Sequence, residues 1–433
     1  MSKYLALPEL MRNALPVVEN LLENGYETVF VGGCVRDTVM GIPIHDVDIA
    51  TAAKPEQVMA LFPRCIPTGL QHGTVTVLHE AGSYEITTYR KESVYENHRK
   101  PETVEFISLL SEDLLRRDLT INAMAMHPNG ELYDPYQGLL DIEHKLIRCV
   151  GDPEARFQED ALRMLRAIRF SAQFSFNISY RTWKALINHR ELLRYIAMER
   201  VQAELNHMLG GANPERATYL LFRCKLLSYT GSMLPAVEQL QRDWSCTEER
   251  RLKLNELDTA EERWAAIMTE TGVTLEDVSR TLSALRFSGD RSSAIQATAN
   301  LQADMMMIHP LTEDAQIESL RRDWTITVLK HGSQAAYLWL RIVDQKPAHL
   351  FFEQVDILKE WLLAMPVVTL KMLDLNGRQL ADHLNRKPGI WTGELLQRLL
   401  LAVALKQLPN IKDKLLQQAG LWNVEDNDND KYE

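Results

Sequence analysis

The sequence predicts an α+β protein in which a small mixed-sheet head precedes an elongated region built only from helices. Three observations support this fold class. Short β-type runs alternate with helical runs over the first 150 residues, and from about residue 153 the helical period alone continues. The chain has 433 residues, which is too many for one compact hydrophobic core, so we expect several domains.

Five segments of the head have the composition of β-strands, and four others have that of helices. The predicted strands are TVFV (28–31), IHDVDIA (44–50), GTVTVL (73–78), SYEITTY (83–89) and VEFISL (104–109). The predicted helices lie around residues 8–24, 34–40, 55–62 and 112–126. HEAG (79–82) joins two alternating runs, which predicts a β-hairpin at this point.

Glycine and proline breaks divide the helical region. We predict a head over residues 1–150, a helical neck over 151–210, a helical body over 211–330 and a helical tail over 331–433. The last residues, VEDNDNDKYE (424–433), are rich in acidic side chains, and this composition favours a disordered end.

Composition argues against several classes of protein. Hydrophobic residues make up 45% of the chain and charged residues 25%, as in ordinary soluble proteins. No segment approaches the ~18–20 consecutive apolar residues of a membrane span, and the N-terminus lacks the apolar region of a secretory signal. The five cysteines are scattered and odd in number, which predicts neither a zinc site nor a disulfide framework and favours the cytoplasm. The net charge of −11 argues against nucleic-acid binding over the whole surface but allows a local basic cleft.

The first candidate site is a pair of aspartates in the predicted strand 44–50. Because side chains alternate along a strand, Asp46 and Asp48 point to one face while Val47 and Ile49 point to the other. Two carboxylates at this spacing can bind the divalent cations of a phosphoryl transfer, and hard oxygen ligands favour Mg²⁺. A bare D-x-D motif is common, however, and a solvent-facing edge strand is its simpler explanation.

The preceding stretch, TVFVGGCVRDTVMG (28–41), favours the metal interpretation. A strand runs into Gly32-Gly33 and then into a helix, an arrangement that cradles phosphate with backbone N–H groups. Arg36 lies in the first turn of that helix, where the dipole disfavours a cation unless an anion is nearby. The alternatives are a simple chain turn and an exposed ion pair between Arg36 and Asp37.

Two further segments of the head carry candidate residues. If the strand of Glu85 neighbours the aspartate strand, Glu85 completes a trio of carboxylates, although a solvated glutamate fits equally well. In LLRRDLTINAMAM (114–126), Asp118 and Asn122 are spaced to meet on a helix, and Arg117 is placed to bind a triphosphate. An ion pair at the start of a helix explains the same residues.

The segment GDPEARFQEDALRMLRAIRF (151–170) is predicted to form one helix that begins at Asp152-Pro153. The face opposite its apolar stripe carries Asp160, Arg163, Arg166 and Arg169. Three arginines at i,i+3 spacing repel each other unless an anion or a carboxylate compensates them. Two interpretations stay open: a surface ion pair between Asp160 and Arg163, or recognition of a base edge by that pair, with the other arginines holding phosphates or acids.

Six motifs follow one another in a fixed order along the chain. They are GGCVRD, DVDIAT, RRDLTINAMAM, DPYQGLLDI (134–142), RFQEDALRMLRAIRF and ERVQAEL (199–205). In this order they resemble the bacterial CCA-adding enzymes, which are class II tRNA nucleotidyltransferases within the polymerase beta-type nucleotidyltransferase superfamily. The motifs cover about residues 28–210, and a weaker stretch (366–400) is similar to the C-terminal region of the bacterial members.

This resemblance implies a catalytic head, a neck, body and tail that hold tRNA, and addition of C, C and A to the tRNA 3′ end from CTP and ATP. It also implies individual roles: Asp46 and Asp48 bind the catalytic Mg²⁺ ions, Gly33, Arg36 and Arg117 contact the sugar and phosphates, Asp160 and Arg163 pair with the base, Arg166 and Arg169 complete that pocket, and Glu85 is a third catalytic carboxylate. Residues 89–106 match the mobile loop that the family associates with the change from C to A addition. Monomer and homodimer both stay open.

Several alternatives to CCA addition stay open. A bacterial poly(A) polymerase shares the head motifs, and an enzyme that adds only A or only CC uses them as well. From other classes, His45-Asp46 allows a metal-dependent phosphohydrolase, and a non-catalytic tRNA-binding protein is compatible with the same scaffold. Candidate contacts to the tRNA backbone in the helical region are Arg181, Lys184, Arg190, Arg194, Arg200, Arg216 and Lys225.

Overall fold

A computed structural model describes residues 3–92, 95–96, 100–101, 104–243, 253–270, 272–308, 317–346 and 349–429. The chain divides into two compact units. The first is Met1–Leu234 with Ala284–Arg286, and the second is Pro235–Ser283 with Phe287–Glu433. The finer division at residues 150, 210 and 330 stays a prediction.

The first unit contains the sheet and the helices that pack on it. Its elements, in chain order, are α1 (Glu9–Glu23), β1 (Thr28–Val31), α2 (Gly33–Met40), β2 (Asp48–Thr51), α3 (Pro55–Leu61), β3 (Cys65–Gly69), β4 (Thr74–His79), β5 (Gly82–Thr88), β6 (Arg90–Glu92), β7 (Tyr95–Glu96), β8 (Lys100–Pro101), β9 (Val104–Phe106), α4 (Leu110–Leu115), β10 (Ala125–Met126), β11 (Leu132–Tyr133), α5 (Gly138–Glu143), β12 (Leu146–Ile147), α6 (Pro153–Glu159), α7 (Leu162–Phe174), β13 (Asn177–Ile178), α8 (Tyr180–His189), α9 (Met198–Leu209) and α10 (Pro214–Cys224). β13 pairs with β12 in a short parallel ribbon, so strand structure does not end at residue 153 as the sequence predicts.

Seven of the described strands form one mixed sheet in the order β11-β10-β1-β2-β5-β4-β3. The strand predicted at 28–31 is β1, and its side chains enter two cores. Phe30 belongs to the core that contains α1, whereas Val29 and Val31 belong to a core that contains α4. The hairpin predicted at 79–82 joins β4 to β5, and β5 runs parallel to β2. The aspartate strand β2 therefore lies inside the sheet, between β1 and β5, and the edge-strand explanation is wrong.

The segment 112–126 is not the single helix that the sequence predicts. α4 ends at Leu115, one 3₁₀ turn spans Thr120–Asn122, and β10 follows. β10 joins the sheet by pairing Met126 with Phe30 of β1. A short apolar run such as AMAM fits a buried strand as well as a helix, so periodicity alone does not separate the two.

The arginine-rich segment forms two helices, and the prediction of one helix is wrong. α6 ends at Glu159 and α7 begins at Leu162. Asp160 lies between them with extended backbone, at φ −136° and ψ 105°, and its Oδ1 accepts a hydrogen bond from Leu162 N at 3.0 Å. An aspartate that binds the backbone N–H two residues later favours the start of a new helix. The predicted start of the first helix is confirmed, because Asp152 caps α6.

Three smaller differences concern strand ends and the chain end. β2 begins only at Asp48, and β9 ends at Phe106, so both are shorter than predicted. The acidic end is helical as far as Asn429, where the sequence predicts disorder, and residues 430–433 lie outside the described part. The predicted mobile loop 89–106 falls partly on residues that the structure does not describe, namely 93–94, 97–99 and 102–103.

The second unit is helical throughout its described residues. Its helices are α11 (Pro235–Asp243), α12 (Ala260–Met268), α13 (Leu275–Ala284), α14 (Gly289–Met305), α15 (Ile317–His331), α16 (Ser333–Asp344), α17 (Val355–Ala364), α18 (Gly377–His383), α19 (Ile390–Ala404) and α20 (Lys412–Asn429). α14 to α17 surround the packed rings of Trp324 and Trp339, whose centroids are 5.6 Å apart. α18 to α20 surround a second core that includes Leu399 and Leu415. Among all described residues, none of the helices combines the length and the apolar character needed to cross a bilayer.

Candidate active site

The turn after β1 places glycine where an added side chain would meet two charged groups. Gly32 has φ 76° and ψ −133°, and α2 begins directly after it. A Cβ on Gly32 would lie 3.1 Å from Arg117 Nη1 and 3.2 Å from Asp48 Oδ2. Both contacts are tighter than ordinary van der Waals packing, and the positive φ also favours glycine. The turn therefore brings a guanidinium and a carboxylate to the N-terminus of α2.

The two aspartates lie close enough for their charges to interact, although Asp46 precedes β2 and the alternation of a strand does not apply to it. Asp46 is exposed and Asp48 half-buried, whereas Val47 and Ile49 are buried between and after them. Burial raises the pKa of Asp48, and the nearby Asp46 carboxylate raises it further, while Arg117 lowers it. Negative charges therefore lie close together around Asp48, and a cation bound there would reduce the repulsion between them.

The third acid, Glu85, lies beside Asp48 on the adjacent parallel strand. Glu85 of β5 stands in register with Asp48 of β2, so the predicted neighbourhood of the two strands is confirmed. Glu85 is exposed. In the described part of the chain, no three His, Cys, Asp or Glu side chains are arranged tightly enough to form a metal site by themselves. The donor set that the structure offers is a pair of hard carboxylates, which fits a divalent cation that is also bound by a substrate's phosphates.

The thiol of Cys34 lies behind this carboxylate. Its Sγ donates to the carbonyl oxygen of Val31 at 3.2 Å, and burial raises the pKa of the thiol to about 12. The thiol therefore stays protonated at neutral pH and does not act as a nucleophile. Cys65, Cys149 and Cys224 are also free, and Cys246 lies outside the described residues.

Arg36 is held in place rather than exposed. Its Nε and Nη2 donate to Asp37 at 2.8 and 2.9 Å, and Nη1 donates to Asn122 Oδ1 at 2.6 Å. The guanidinium also lies 4.9 Å from the ring centre of Phe174. The ion pair with Asp37 exists, but Arg36 is only 7% exposed, so the exposed-pair explanation is wrong.

Arg117 lies between two carboxylates. Its Nη2 is 3.4 Å from Asp113 Oδ2, and its charge lowers the pKa of Asp48 on the other side. Nη1 donates to the carbonyl oxygen of Asn122 at 3.4 Å. The Nε atom is buried and has no hydrogen-bond partner within the described structure. A guanidinium with an unused donor beside a glycine turn is suited to an anionic ligand.

The predicted pair between Asp160 and Arg163 does not form. Asp160 Oδ2 accepts from Arg200 Nη2 at 2.9 Å. Arg163 is buried, where it donates to Glu159 at 2.5 Å and to the carbonyl oxygen of Arg116 at 2.8 Å. The i,i+3 interpretation is wrong because the break between α6 and α7 separates the two side chains from a common helical face.

The other two arginines of α7 are compensated by carboxylates from distant segments. Arg166 Nε donates to Asp118 Oδ2 at 2.7 Å, and Arg169 pairs with Glu204 of α9 at 2.8 Å. Burial opposes the ionisation of Asp118, but Arg166 and the Asn122 amide outweigh it and lower the pKa of Asp118 to about 2. The compensation that three stacked arginines require is therefore present inside the protein.

Sequence reasoning gave no role in this frame to Asp113, Glu159, Arg200 and Glu204, although it named Arg200 as a candidate tRNA contact. Arg200 and Glu204 lie in the ERVQAEL motif, which was the only available signal for them. Asp118 and Asn122 do meet, with Asn122 Nδ2 donating to Asp118 Oδ1 at 3.2 Å, but they do so across a turn rather than along a helix.

The candidate tRNA contacts separate into two groups. Arg190, Arg200 and Arg216 are bound within the unit, to Cys224, Asp160 and Phe176 respectively. The exposed members are Arg181, Lys184, Arg194 and Lys225. Because its side chains are exposed to solvent, the second group is the better candidate for binding phosphates.

Comparison with protein families gives matches in both units. The model described as "Poly A polymerase head domain" matches residues 28–148, and "tRNA nucleotidyltransferase domain 2" matches residues 255–419. Between them, the model described as "Probable RNA and SrmB- binding site of polymerase A" matches residues 175–238.

Similarity to characterised proteins extends over nearly the whole chain. The CCA-adding enzyme of Bacillus velezensis is 36% identical over 410 residues, which cover 95% of this chain and 98% of the relative. The chain belongs to the family of CCA-adding enzymes. Another family member, from Bacillus pumilus, is 38% identical over 94% of this chain and 96% of its own length.

Solved structures of CCA-adding enzymes share the fold. The Bacillus stearothermophilus CCA-adding enzyme in complex with CTP is 30% identical and superposes with a TM-score of 0.81, covering 98% of this chain and all of that one. The Thermotoga maritima CCA-adding enzyme complexed with tRNA superposes with a TM-score of 0.66 at 19% identity, covering 96% of each chain. The second likeness concerns the fold alone.

Proposed function

We propose that this protein adds C, C and A in turn to the 3′ end of tRNA, without a nucleic-acid template, in the cytoplasm. CTP and ATP are the donors, and each step releases pyrophosphate. One observation supports this most strongly: a chain similar along its full length to CCA-adding enzymes keeps both aspartates beside the glycine turn and the buried arginines around it.

The catalytic carboxylates are Asp46 and Asp48, with Glu85 as a third acid beside them. Nucleotidyltransferases as a class use a divalent metal ion, and the hard oxygen donors of this pair favour Mg²⁺. When bound there, Mg²⁺ supplies the positive charge that lowers the pKa of the tRNA 3′-hydroxyl and neutralises the leaving pyrophosphate. Asp48 sits in the middle of the sheet, which fixes its carboxylate for this task.

The nucleotide's sugar and phosphates are held at the start of α2. The backbone N–H of Gly33 opens this helix, where the dipole and the unpaired N–H groups attract phosphate. Arg36 and Arg117 add two guanidinium groups from opposite sides of the turn, and the unused Nε of Arg117 is available to an anion. Since both arginines are anchored by neighbouring side chains, little ordering is needed on binding.

The base is selected by Asp160 and Arg163. Cytosine and adenine both carry an amino group next to a ring nitrogen, so a carboxylate that accepts and a guanidinium that donates recognise both bases and reject uracil and guanine. In the free protein Arg200 and Glu159 hold these two side chains, and the bound base takes over part of those hydrogen bonds. Arg166 and Arg169 complete the pocket from α7.

The test is a primer-extension assay with a tRNA transcript that lacks its CCA end. We expect CTP alone to give addition of CC, ATP alone to give little product, and both together to give CCA and then arrest. Sequencing the products separates this result from runs of A, which would identify a poly(A) polymerase. Nucleotide hydrolysis without extension, or binding of tRNA without extension, would contradict the proposal.

A further inference from the structure

Asn122 occupies a junction in the first unit that the roles given above do not include. It lies in the 3₁₀ turn between α4 and β10, and only 5% of it is exposed. Its Oδ1 accepts from Arg36 Nη1 at 2.6 Å, and its Nδ2 donates to Asp118 Oδ1 at 3.2 Å. Its carbonyl oxygen also accepts from Arg117 Nη1 at 3.4 Å. One buried side chain therefore contacts an arginine and a carboxylate, while its backbone binds a second arginine.

The two side-chain contacts fix the orientation of the amide. A guanidinium can only donate, so the group facing Arg36 must be the oxygen. An ionised carboxylate can only accept, so the group facing Asp118 must be the NH₂. A carboxamide satisfies both partners at once, whereas an ionised carboxylate can only accept, an apolar group does neither, and the single oxygen of a shorter hydroxyl side chain cannot reach both partners.

The two partners belong to different halves of the nucleotide site. Arg36 stands in the first turn of α2, beside the phosphate-binding turn at Gly32. Asp118 holds Arg166 of α7, the helix that carries the base-selecting residues. One chain of hydrogen bonds from one half to the other runs through Asn122, with contacts of 2.6, 3.2 and 2.7 Å, and it adds to the packing of Arg36 against the Phe174 ring of α7.

We propose that Asn122 is a positioning residue that fixes the phosphate-binding arginine relative to the base-selecting helix, so that the triphosphate and the base of one nucleotide are held in register. This inference rests on the proposed function. Each half of the site can still bind its part of a nucleotide when Asn122 is changed. What is lost is their mutual alignment, and misplacement by a fraction of an ångström lowers the rate of a positioned reaction far more than it lowers binding.

The experiment compares Asn122→Asp and Asn122→Ser with wild type. Asn122→Asp keeps an acceptor for Arg36 but sets a second carboxylate against Asp118, and Asn122→Ser is too short to reach both partners. For both variants we expect kcat for C addition to fall about 10- to 100-fold, with KM for CTP within about threefold of wild type. The preference for CTP over UTP should fall about tenfold in extension and about threefold in equilibrium binding of the two nucleotides by calorimetry.

Ser171→Ala is the matched control. Ser171 is fully buried in α7, and its hydroxyl donates to the carbonyl oxygen of Phe176 at 2.6 Å without contacting Arg36, Asp118 or Arg166. Its loss removes this buried hydrogen bond and a longer one that Ser171 accepts from Arg216 Nε at 3.4 Å, at a cost comparable to that of the Asn122 variants. We expect this control to lower the melting temperature while leaving kcat and nucleotide preference near wild type.

Two outcomes would overturn the inference. One is a change in kcat and CTP preference for both Asn122 variants that is no larger than that of Ser171→Ala. The other is a rise in KM alone, which would mean that Asn122 only supports binding. If the wild-type protein extends no tRNA, the proposed function fails; the calorimetric CTP-to-UTP ratio then still decides the inference, and an unchanged ratio in both variants overturns it.

Discussion

The two units bury very different side chains. In the first unit, charged residues with less than a tenth of their surface exposed include Arg36, Asp113, Asp118, Asp141, Arg163 and Glu204. In the described part of the second unit, Arg263 is the one buried charged residue, and it donates to the carbonyl oxygens of Leu254 and Leu257. The second unit instead buries large apolar rings, among them Trp324 and Trp339.

This contrast indicates where stability and chemistry reside. Buried ion pairs cost desolvation energy and are often no more stabilising than a well-packed apolar core. A unit that nevertheless keeps six buried charged residues gains fixed positions for its charges, as the proposed binding of a triphosphate and a metal ion requires. The second unit has no such demand in its cores and packs them with aromatic and aliphatic side chains.

The largest effect is expected at Asp48, whose charge is proposed to act in the reaction and not to stabilise the fold. Asp48→Asn should lower the rate of C addition by about 1,000-fold or more, because one of two metal-binding carboxylates is lost. The melting temperature, measured without divalent metal, should not fall. The substitution removes a negative charge that burial and the repulsion from Asp46 both disfavour. Steady-state extension and differential scanning fluorimetry measure the two quantities.

Glu56→Gln is the control for this change, since Glu56 is an exposed acid of α3 away from the turn at Gly32. It should alter neither quantity. Near wild-type extension by Asp48→Asn would remove the metal-binding role, and a large drop in its melting temperature would place Asp48 among the structural charges.

The second unit should respond in the opposite way. Trp324→Ala removes a fully buried ring and leaves the Leu358 carbonyl oxygen without the indole donor, which now stands 3.0 Å away. We expect the free energy of unfolding of this unit to fall by about 3–5 kcal/mol. Binding of CTP below the unfolding transition should stay within about twofold of wild type, which calorimetry at low temperature measures.

Leu363→Ala, at a side chain that is 73% exposed in α17, serves as the comparison and should cost less than about 0.5 kcal/mol. Loss of CTP binding in folded Trp324→Ala would contradict the view that nucleotide binding depends on the first unit and that the second unit contributes only stability.

A smaller effect is expected for base selection. Asp160→Ala should reduce the preference for CTP over UTP by about 10- to 100-fold, because the acceptor for the base's amino group is lost. Stability should fall by about 0.5–2 kcal/mol, because the Asp160 carboxylate also accepts the hydrogen bond from Leu162 N at the start of α7. Its bond to Arg200 lies near the surface and adds little. Single-nucleotide extension with each of the four triphosphates measures the preference. Unchanged selectivity would remove the base-reading role of Asp160.

Acid should unfold the two units in different pH ranges. Burial lowers the pKa of His349 to about 4, so this histidine is neutral in the second unit and takes up a proton on unfolding. Protonation of His349 in the unfolded state therefore lowers the stability of that unit as pH falls from about 6.5 towards 4. Asp118 has its pKa lowered to about 2, so its contribution, on the order of 2 kcal/mol, is present above about pH 4 and is lost between pH 4 and 2.

Tryptophan fluorescence separates the two transitions, because Trp183 is the only one of the eight tryptophans that lies in the first unit. His349→Gln should flatten the fluorescence transition between pH 6.5 and 4 and leave CTP binding unchanged. A single transition at one pH for fluorescence and CTP binding would contradict separate titration of the units.

The sequence predicted well those elements that depend mainly on residues close together in the chain. The strand at 28–31, the hairpin at 79–82 and the cap at Asp152 depend on neighbouring residues only. It failed at 112–126, where pairing with β1 decided between helix and strand.

The partners of charged side chains could not be predicted for a related reason. The spacing of Asp160 and Arg163 suggested a local pair, yet Asp160 binds Arg200, 40 residues further on, and Arg166 binds Asp118, 48 residues earlier. Partner choice among several nearby charges depends on how distant segments pack, and no periodicity in one sequence encodes that.

The missing side chain at Gly32 limits how this protein can change. A Cβ at this position would lie 3.1 Å from Arg117 Nη1 and 3.2 Å from Asp48 Oδ2, so even alanine would displace both charged groups by a few tenths of an ångström. The left-handed backbone at φ 76° adds its own penalty for any side chain. Position 32 should therefore accept glycine far better than any other residue.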